Sequence, residues 1–257
     1  MDQAEELRNV IKKQNQRTKK PARIITVTSG KGGVGKSNIA VNLAVQFQRM
    51  GLKTIIFDAD IGLANVEVMF GTIPQYSLND LIYHDKEIED IITDGPEGVG
   101  FISGGSGIMG LSNLTLDQIS YLVKSVEKLS VIADIVIVDT GAGISDSVME
   151  FVASSPEILL VTTPEPSSLT DAYSLLKMLY RNPKYDKNES VIHVLTNRVD
   201  SFGEGKMVFD KLESVVKQFL DGSVHYIGRK RCGYKNRFPS CRRMQGLQNG
   251  LRNWHSI

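Results

Sequence analysis

The run Ser29-Gly30-Lys31-Gly32-Gly33-Val34-Gly35-Lys36-Ser37 has the residue types and spacing to grip a triphosphate. It satisfies the phosphate-loop pattern G-x-x-x-x-G-K-S. Its glycines allow the backbone to wrap a phosphate with N–H groups, and a helix opening at Ser37 would add the favourable field of its N-terminus. Lys36 is placed for the β- and γ-phosphates, the Ser37 hydroxyl for Mg²⁺, and Asn38 continues the loop into the helix. ATP and Mg²⁺ are the expected ligands. Two aspartate-bearing segments, FDADIGLAN (57–65) and IVIVDTGAG (135–143), each follow or end an apolar run. Asp139 is expected to hold Mg²⁺ through a water, with helix capping as the alternative. Gly141 and Gly143 leave backbone free to approach a γ-phosphate. In TNRVD (196–200), Asn197 and Arg198 are candidates for reading the base. The string also echoes the guanine-specific N-K-x-D, with Arg198 in place of lysine, so GTP stays open, as does a loop asparagine without ligand contact. GGSG (104–107) reads as a plain surface loop.

Such groups need a rigid sheet edge, and the sequence supplies one. Short β-branched runs recur at 24–27, 54–57, 99–102, 135–138, 158–161, 191–194 and 224–227. Helical patterns lie at 36–50, 115–129, 145–153, 167–181 and 205–220. Runs apolar on consecutive positions suit strands buried on both faces. The expectation is an α/β fold, a doubly wound, mostly parallel sheet of about seven strands, with ligands at the strands' carboxyl ends. Residues 1–22 read as a short amphipathic helix and linker, with Asp2 as cap and Leu7, Val10 and Ile11 as an apolar stripe. The core domain spans 23–228, and 229–257 reads as a basic, poorly ordered tail.

Hydrophobic residues make up 41% and charged residues 23% of 257, a globular composition. The net charge of +1 hides an asymmetry: positions 229–257 hold eight Lys/Arg and no acid, leaving 22 basic against 29 acidic residues elsewhere. The net-acidic body argues against broad nucleic-acid binding. Cys232 and Cys241, the only cysteines, both lie in the tail, which fits a reducing compartment. No apolar run approaches the roughly 20 residues of a membrane span, and the charged N-terminus lacks a secretory pattern. A cytoplasmic location is expected.

From Arg23 to Gly228 the chain resembles the MinD/ParA ATPases, whose phosphate loop carries the extra lysine of K-G-G-x-G-K-[S/T], here Lys31. The resemblance implies a homodimer when ATP is bound, with Lys31 reaching the other subunit's phosphates and Lys36 serving its own. It assigns Asp60 both to positioning the attacking water and to the Mg²⁺ site with Ser37 and Asp139, Asn65 to the same switch region, and Asn197 to adenine. Asp58 is left to packing and hydrogen bonding. Asp2-Gln3-Ala4-Glu5-Glu6-Leu7-Arg8 resembles the D-Q-A-x-x-L-R element of the FlhG-type branch (also called YlxH or FleN). That implies activation of the signal-recognition-particle-type GTPase FlhF through Asp2, Gln3, Leu7 and Arg8, contacts with flagellar basal-body components, and control of flagellar number and placement. Division-site and DNA-partitioning relatives are the alternatives. An iron–sulfur carrier of the same fold needs cysteines near the dimer axis, and residues 1–231 contain none. The family's C-terminal membrane-targeting helix has no counterpart in the tail, where a shifted reading frame would look similar. Peripheral membrane contact is correspondingly in question.

Overall fold

The computed structural model describes residues 21–61, 63, 65–105 and 114–231. The helix expected within 1–20, its residues Asp2, Gln3, Leu7 and Arg8, and the tail beyond Arg231 lie outside the described residues. Among the described residues, eight strands form one sheet: β1 (Arg23–Ser29), β2 (Thr54–Ala59), β3 (Thr93–Asp94), β4 (Gly100–Ile102), β5 (Ile135–Ala142), β6 (Glu157–Thr162), β7 (Val191–Val199) and β8 (His225–Arg231). Their order is β3-β4-β2-β5-β1-β6-β7-β8. All neighbours are parallel except β3, which pairs antiparallel with β4. The seven expected strands are present. The eighth, β3, has two residues, too few to leave a periodic signal. β8 runs to Arg231, three residues past the boundary set at Gly228.

Among the described residues, seven α-helices connect the strands: α1 (Lys36–Arg49), α2 (Asn65–Phe70), α3 (Leu78–Tyr83), α4 (Leu116–Lys128), α5 (Asp146–Ala153), α6 (Pro166–Arg181) and α7 (Phe202–Leu220). α2 and α3 were not legible as periodic segments, because six residues complete fewer than two turns. Local chemistry starts four of these helices. Ser77 with Asp80 and Thr115 with Gln118 form capping boxes on α3 and α4. Ser145 and Ser201 cap α5 and α7.

Alternate residues of the strands feed opposite faces. Ile25, Val27, Ile56, Ile137 and Leu159 pack under α1, joined by Val66 and Phe70 of α2. On the other face, Phe57, Val136 and Val138 meet Leu78 and Leu81 of α3 and Leu122 and Val126 of α4. Ile158, Leu160, Ile192 and Val194 meet α5, α6 and α7. The central strands are therefore clamped on both sides. Val27, Asp58 and Asp139 share one level across β1, β2 and β5, and this fixes the edge on which the site is built.

Candidate phosphate site

α1 begins differently from the helices capped by Ser or Thr. Its N-cap is Gly35, at φ 98°, with no side-chain cap and no acid in the first turn. The N–H groups that Ser or Asp would satisfy elsewhere face the loop, which suits an anion. Two glycines are required by close approach. A Cβ on Gly30 would stand 2.2 Å from the Asp171 carbonyl, so the loop seats on the backbone of α6. A Cβ on Gly35 would stand 2.6 Å from Asn197 Nδ2.

Inside the loop, Lys36 is buried beside Asp139 and Asp60. Burial pushes its pKa down, and the two carboxyl groups oppose the shift. Asp139 is fully buried, and neither of its oxygens has a hydrogen-bond partner among the described residues. Burial raises its pKa to about 7; the nearby Ser37 hydroxyl, outside hydrogen-bonding geometry, and the Lys36 charge hold it down. An orphaned carboxyl group next to a serine hydroxyl fits a hard cation. Mg²⁺ needs only one or two protein ligands when phosphates and waters complete its shell.

Asp58 plays a different part. Its carboxyl oxygens accept from the Asp60 and Val66 N–H groups, both at 3.1 Å, tying β2 to the start of α2. Burial first, then the proximity of Asp139, raises its pKa to about 8. Asp60 is only half-buried. Its Oδ2 accepts from Asn65 Nδ2 at 2.8 Å, and a Cβ on Gly141 would come within 3.2 Å of Oδ1. Burial raises its pKa, with Lys36 and Asn65 opposing. Gly141 thus leaves room for the Asp60 carboxyl group. Gly143 N–H donates to Ser29 C=O at 2.9 Å, joining this segment to the phosphate loop.

Lys31 stands apart, on the loop's outer arm. Its Nζ contacts Glu165 Oε2 and Ser167 Oγ, each at 2.8 Å, at the start of α6. Glu165 is exposed, and its hydrogen bond and charge pairing with Lys31 hold its carboxyl below the usual range. Arg198 donates to Gly33 C=O, with Glu165 4.0 Å away. Asn197 is buried. Its Nδ2 donates to Val34 C=O at 2.7 Å and its Oδ1 accepts from Arg198 N–H. In this geometry, the two residues expected to read a base brace the phosphate loop.

Sequence reasoning missed Glu165 and Ser167. A signal existed in Thr163-Pro164-Glu165-Pro166-Ser167, where Pro166 opens a helix directly after a buried strand. It also misread GGSG: of that segment the described residues, Gly104 and Gly105, are buried.

Residues 20–197 match the ParA family model described as NUBPL iron-transfer P-loop NTPase. The matched segment contains no cysteine. The chain is 41% identical over 208 residues to the antiactivator FleN of Pseudomonas aeruginosa, covering 81% of this chain and 73% of that protein. It is 34% identical over 233 residues to the flagellum site-determining protein YlxH of Helicobacter pylori, covering 88% and 77%. Among solved structures, the cell division ATPase MinD of Pyrococcus furiosus superposes with a TM-score of 0.73 at 22% identity, over 91% of this chain and 99% of that one. The septum site-determining protein MinD of Pyrococcus horikoshii, complexed with Mg-ADP, gives 0.68 at 24%, over 89% and 86%. These two likenesses show the fold.

Proposed function

The chain belongs to the MinD/ParA family of P-loop ATPases, in its FlhG (YlxH/FleN) branch, and from that premise we propose that it is an ATP-gated dimeric switch controlling flagellar number and placement. The observation that carries the reading is the split between its two loop lysines. Lys36 is buried against the carboxyl cluster, while Lys31 is held outward on the rim. A cation on the rim is suited to a neighbouring copy's phosphates.

In this reading the loop N–H groups and Lys36 bind the triphosphate. Ser37 and Asp139 would hold Mg²⁺, which when bound offsets the charge that develops on the phosphate oxygens. Asp60, steadied by Asn65, orients a water. That water adds to the γ-phosphorus as the β–γ bridge bond breaks, giving ADP and phosphate. Lys31 leaves Glu165 and Ser167 to stabilise the transition state in the partner's site, so turnover requires the dimer. Such an arrangement makes the nucleotide the clock of assembly.

The partner proposed is the GTPase FlhF, met through the segment carrying Asp2, Gln3, Leu7 and Arg8, with basal-body components as further contacts. Action is placed in the cytoplasm, with any membrane contact peripheral. No helix among the described residues is long and apolar enough to cross a membrane. The deciding experiment follows oligomeric state by light scattering, together with ATP turnover, in ATP and Mg²⁺. The wild type is expected to dimerise and hydrolyse ATP, and Lys31→Ala to lose turnover; a fully active Lys31→Ala protein would overturn the reading. For the partner, Gln3→Ala is expected to abolish stimulation of the GTPase while ATP hydrolysis stays intact. An unchanged stimulation would remove that role.

A further inference from the structure

We infer that Ser103 and Gly104 form the seat that sets the position of Asp60, acting through the Asp58–Asp60 backbone and through Glu67. The inference rests on the reading of Asp60 as the water-orienting carboxylate. Ser103 and Gly104 follow β4, whose residues pair with β2 up to Ile102 against Phe57. The chain then passes beneath the turn that carries Asp60. A Cβ on Gly104 would lie 2.9 Å from the Asp58 carbonyl oxygen and 3.3 Å from that of Asp60. Gly104 is not among the positive-φ residues, so the glycine serves space and not backbone freedom.

Ser103 fastens the other end of the same segment. Its hydroxyl, on a fully buried residue, donates to Glu67 Oε2 at 2.6 Å and accepts from Gly105 N–H at 3.1 Å. Its carbonyl accepts from Leu78 N–H at 3.0 Å, joining the seat to α3. Glu67 lies in the first turn of α2, which opens at Asn65, the residue that donates to Asp60. The turn bearing Asp60 is thus held from below by Gly104, from its far end by Ser103 through Glu67 and Asn65, and from the side by Gly141. These are positioning residues: none is placed on the nucleotide.

The test uses the full chain with ATP and Mg²⁺, measuring kcat, KM, ATP affinity and ATP-dependent dimerisation. Displacing a reacting group by about 1 Å can cost about 100-fold. Gly104→Ala is therefore expected to lower kcat by roughly 10- to 100-fold, with ATP affinity and dimerisation changed less than about twofold. Ser103→Ala and Glu67→Ala should lose a smaller, shared fraction of kcat, whereas Glu67→Gln, which keeps an acceptor for the Ser103 hydroxyl, should restore it. Should Gly104→Ala fail to fold, the Ser103 and Glu67 variants decide. Unchanged kcat in the folded variants, or parallel loss of ATP affinity and kcat, would overturn the seat. Asp60→Asn is run beside them. If it turns over normally, the Asp60 reading falls and the seat with it; if it is inactive while Ser103→Ala and Gly104→Ala are normal, only the seat falls.

Discussion

Lys36 and Lys31 sit in one glycine-rich loop, yet they occupy opposite electrostatic settings. Lys36 is buried beside Asp60 and Asp139, with Asp58 next to them, in a cluster whose pKa values all depart from their ordinary positions. Lys31 lies in an exposed hydrogen-bonded pair with Glu165 and Ser167. A buried charge surrounded by partly uncompensated carboxyl groups is committed to one ligand, because no water can replace it. An exposed ion pair is weak and readily exchanged. The difference teaches which lysine the fold has fixed and which it has left free to change partners.

The comparison breaks most visibly at the inner lysine. Lys36→Ala is expected to lower ATP affinity by about 100-fold or more, since it removes the buried cation facing the phosphates; isothermal titration measures this directly. Lys31→Ala is the sharpening counterpart. ATP affinity should stay within about threefold while kcat falls roughly 1000-fold, the scale of a cation supplied to a phosphoryl-transfer transition state. Equal losses in the two variants would erase the distinction.

A smaller effect concerns pH. Asp58 and Asp139 have folded-state pKa values of about 8 and 7, raised above the unfolded carboxylate value. Their protonated forms are favoured by folding, so their contribution is fully present below about pH 4 and is lost as pH rises toward 8. Without nucleotide and Mg²⁺, Tm is expected to fall between pH 5 and 8, and added MgATP should offset the fall. A Tm rising steadily over that window would contradict the burial of the pair. The smallest effect is at the outer arm. Glu165→Ala releases Lys31 from an exposed partner and should strengthen ATP-dependent dimerisation by less than about fivefold, with the gain shrinking in high salt. Sedimentation at two ionic strengths reads it.

Much of this was legible in sequence because the signals are local. The loop from Gly30 to Ser37 announces itself by spacing, and the strands by unbroken β-branched runs. Asp139 was legible as the end of such a run. What escaped depends on contacts distant along the chain. Glu165 meets Lys31 only because β6 lies beside β1, and Gly104 meets Asp58 only because β4 lies beside β2. Asn197 carried a correct hint of nearness to the site, yet its role as a brace on Val34 is set by tertiary packing. Short elements such as β3 and α2 are products of that packing and leave no period to read.

The claim on which the account turns is that Lys31 completes a site in the other subunit. Mixing Lys31→Ala with Asp60→Asn, each inactive alone, tests it: the heterodimer then holds one site with its own Asp60 and a borrowed Lys31. Random pairing of equal amounts should restore roughly a quarter of wild-type turnover. A mixture as inactive as its components, with heterodimers demonstrably formed, would contradict it.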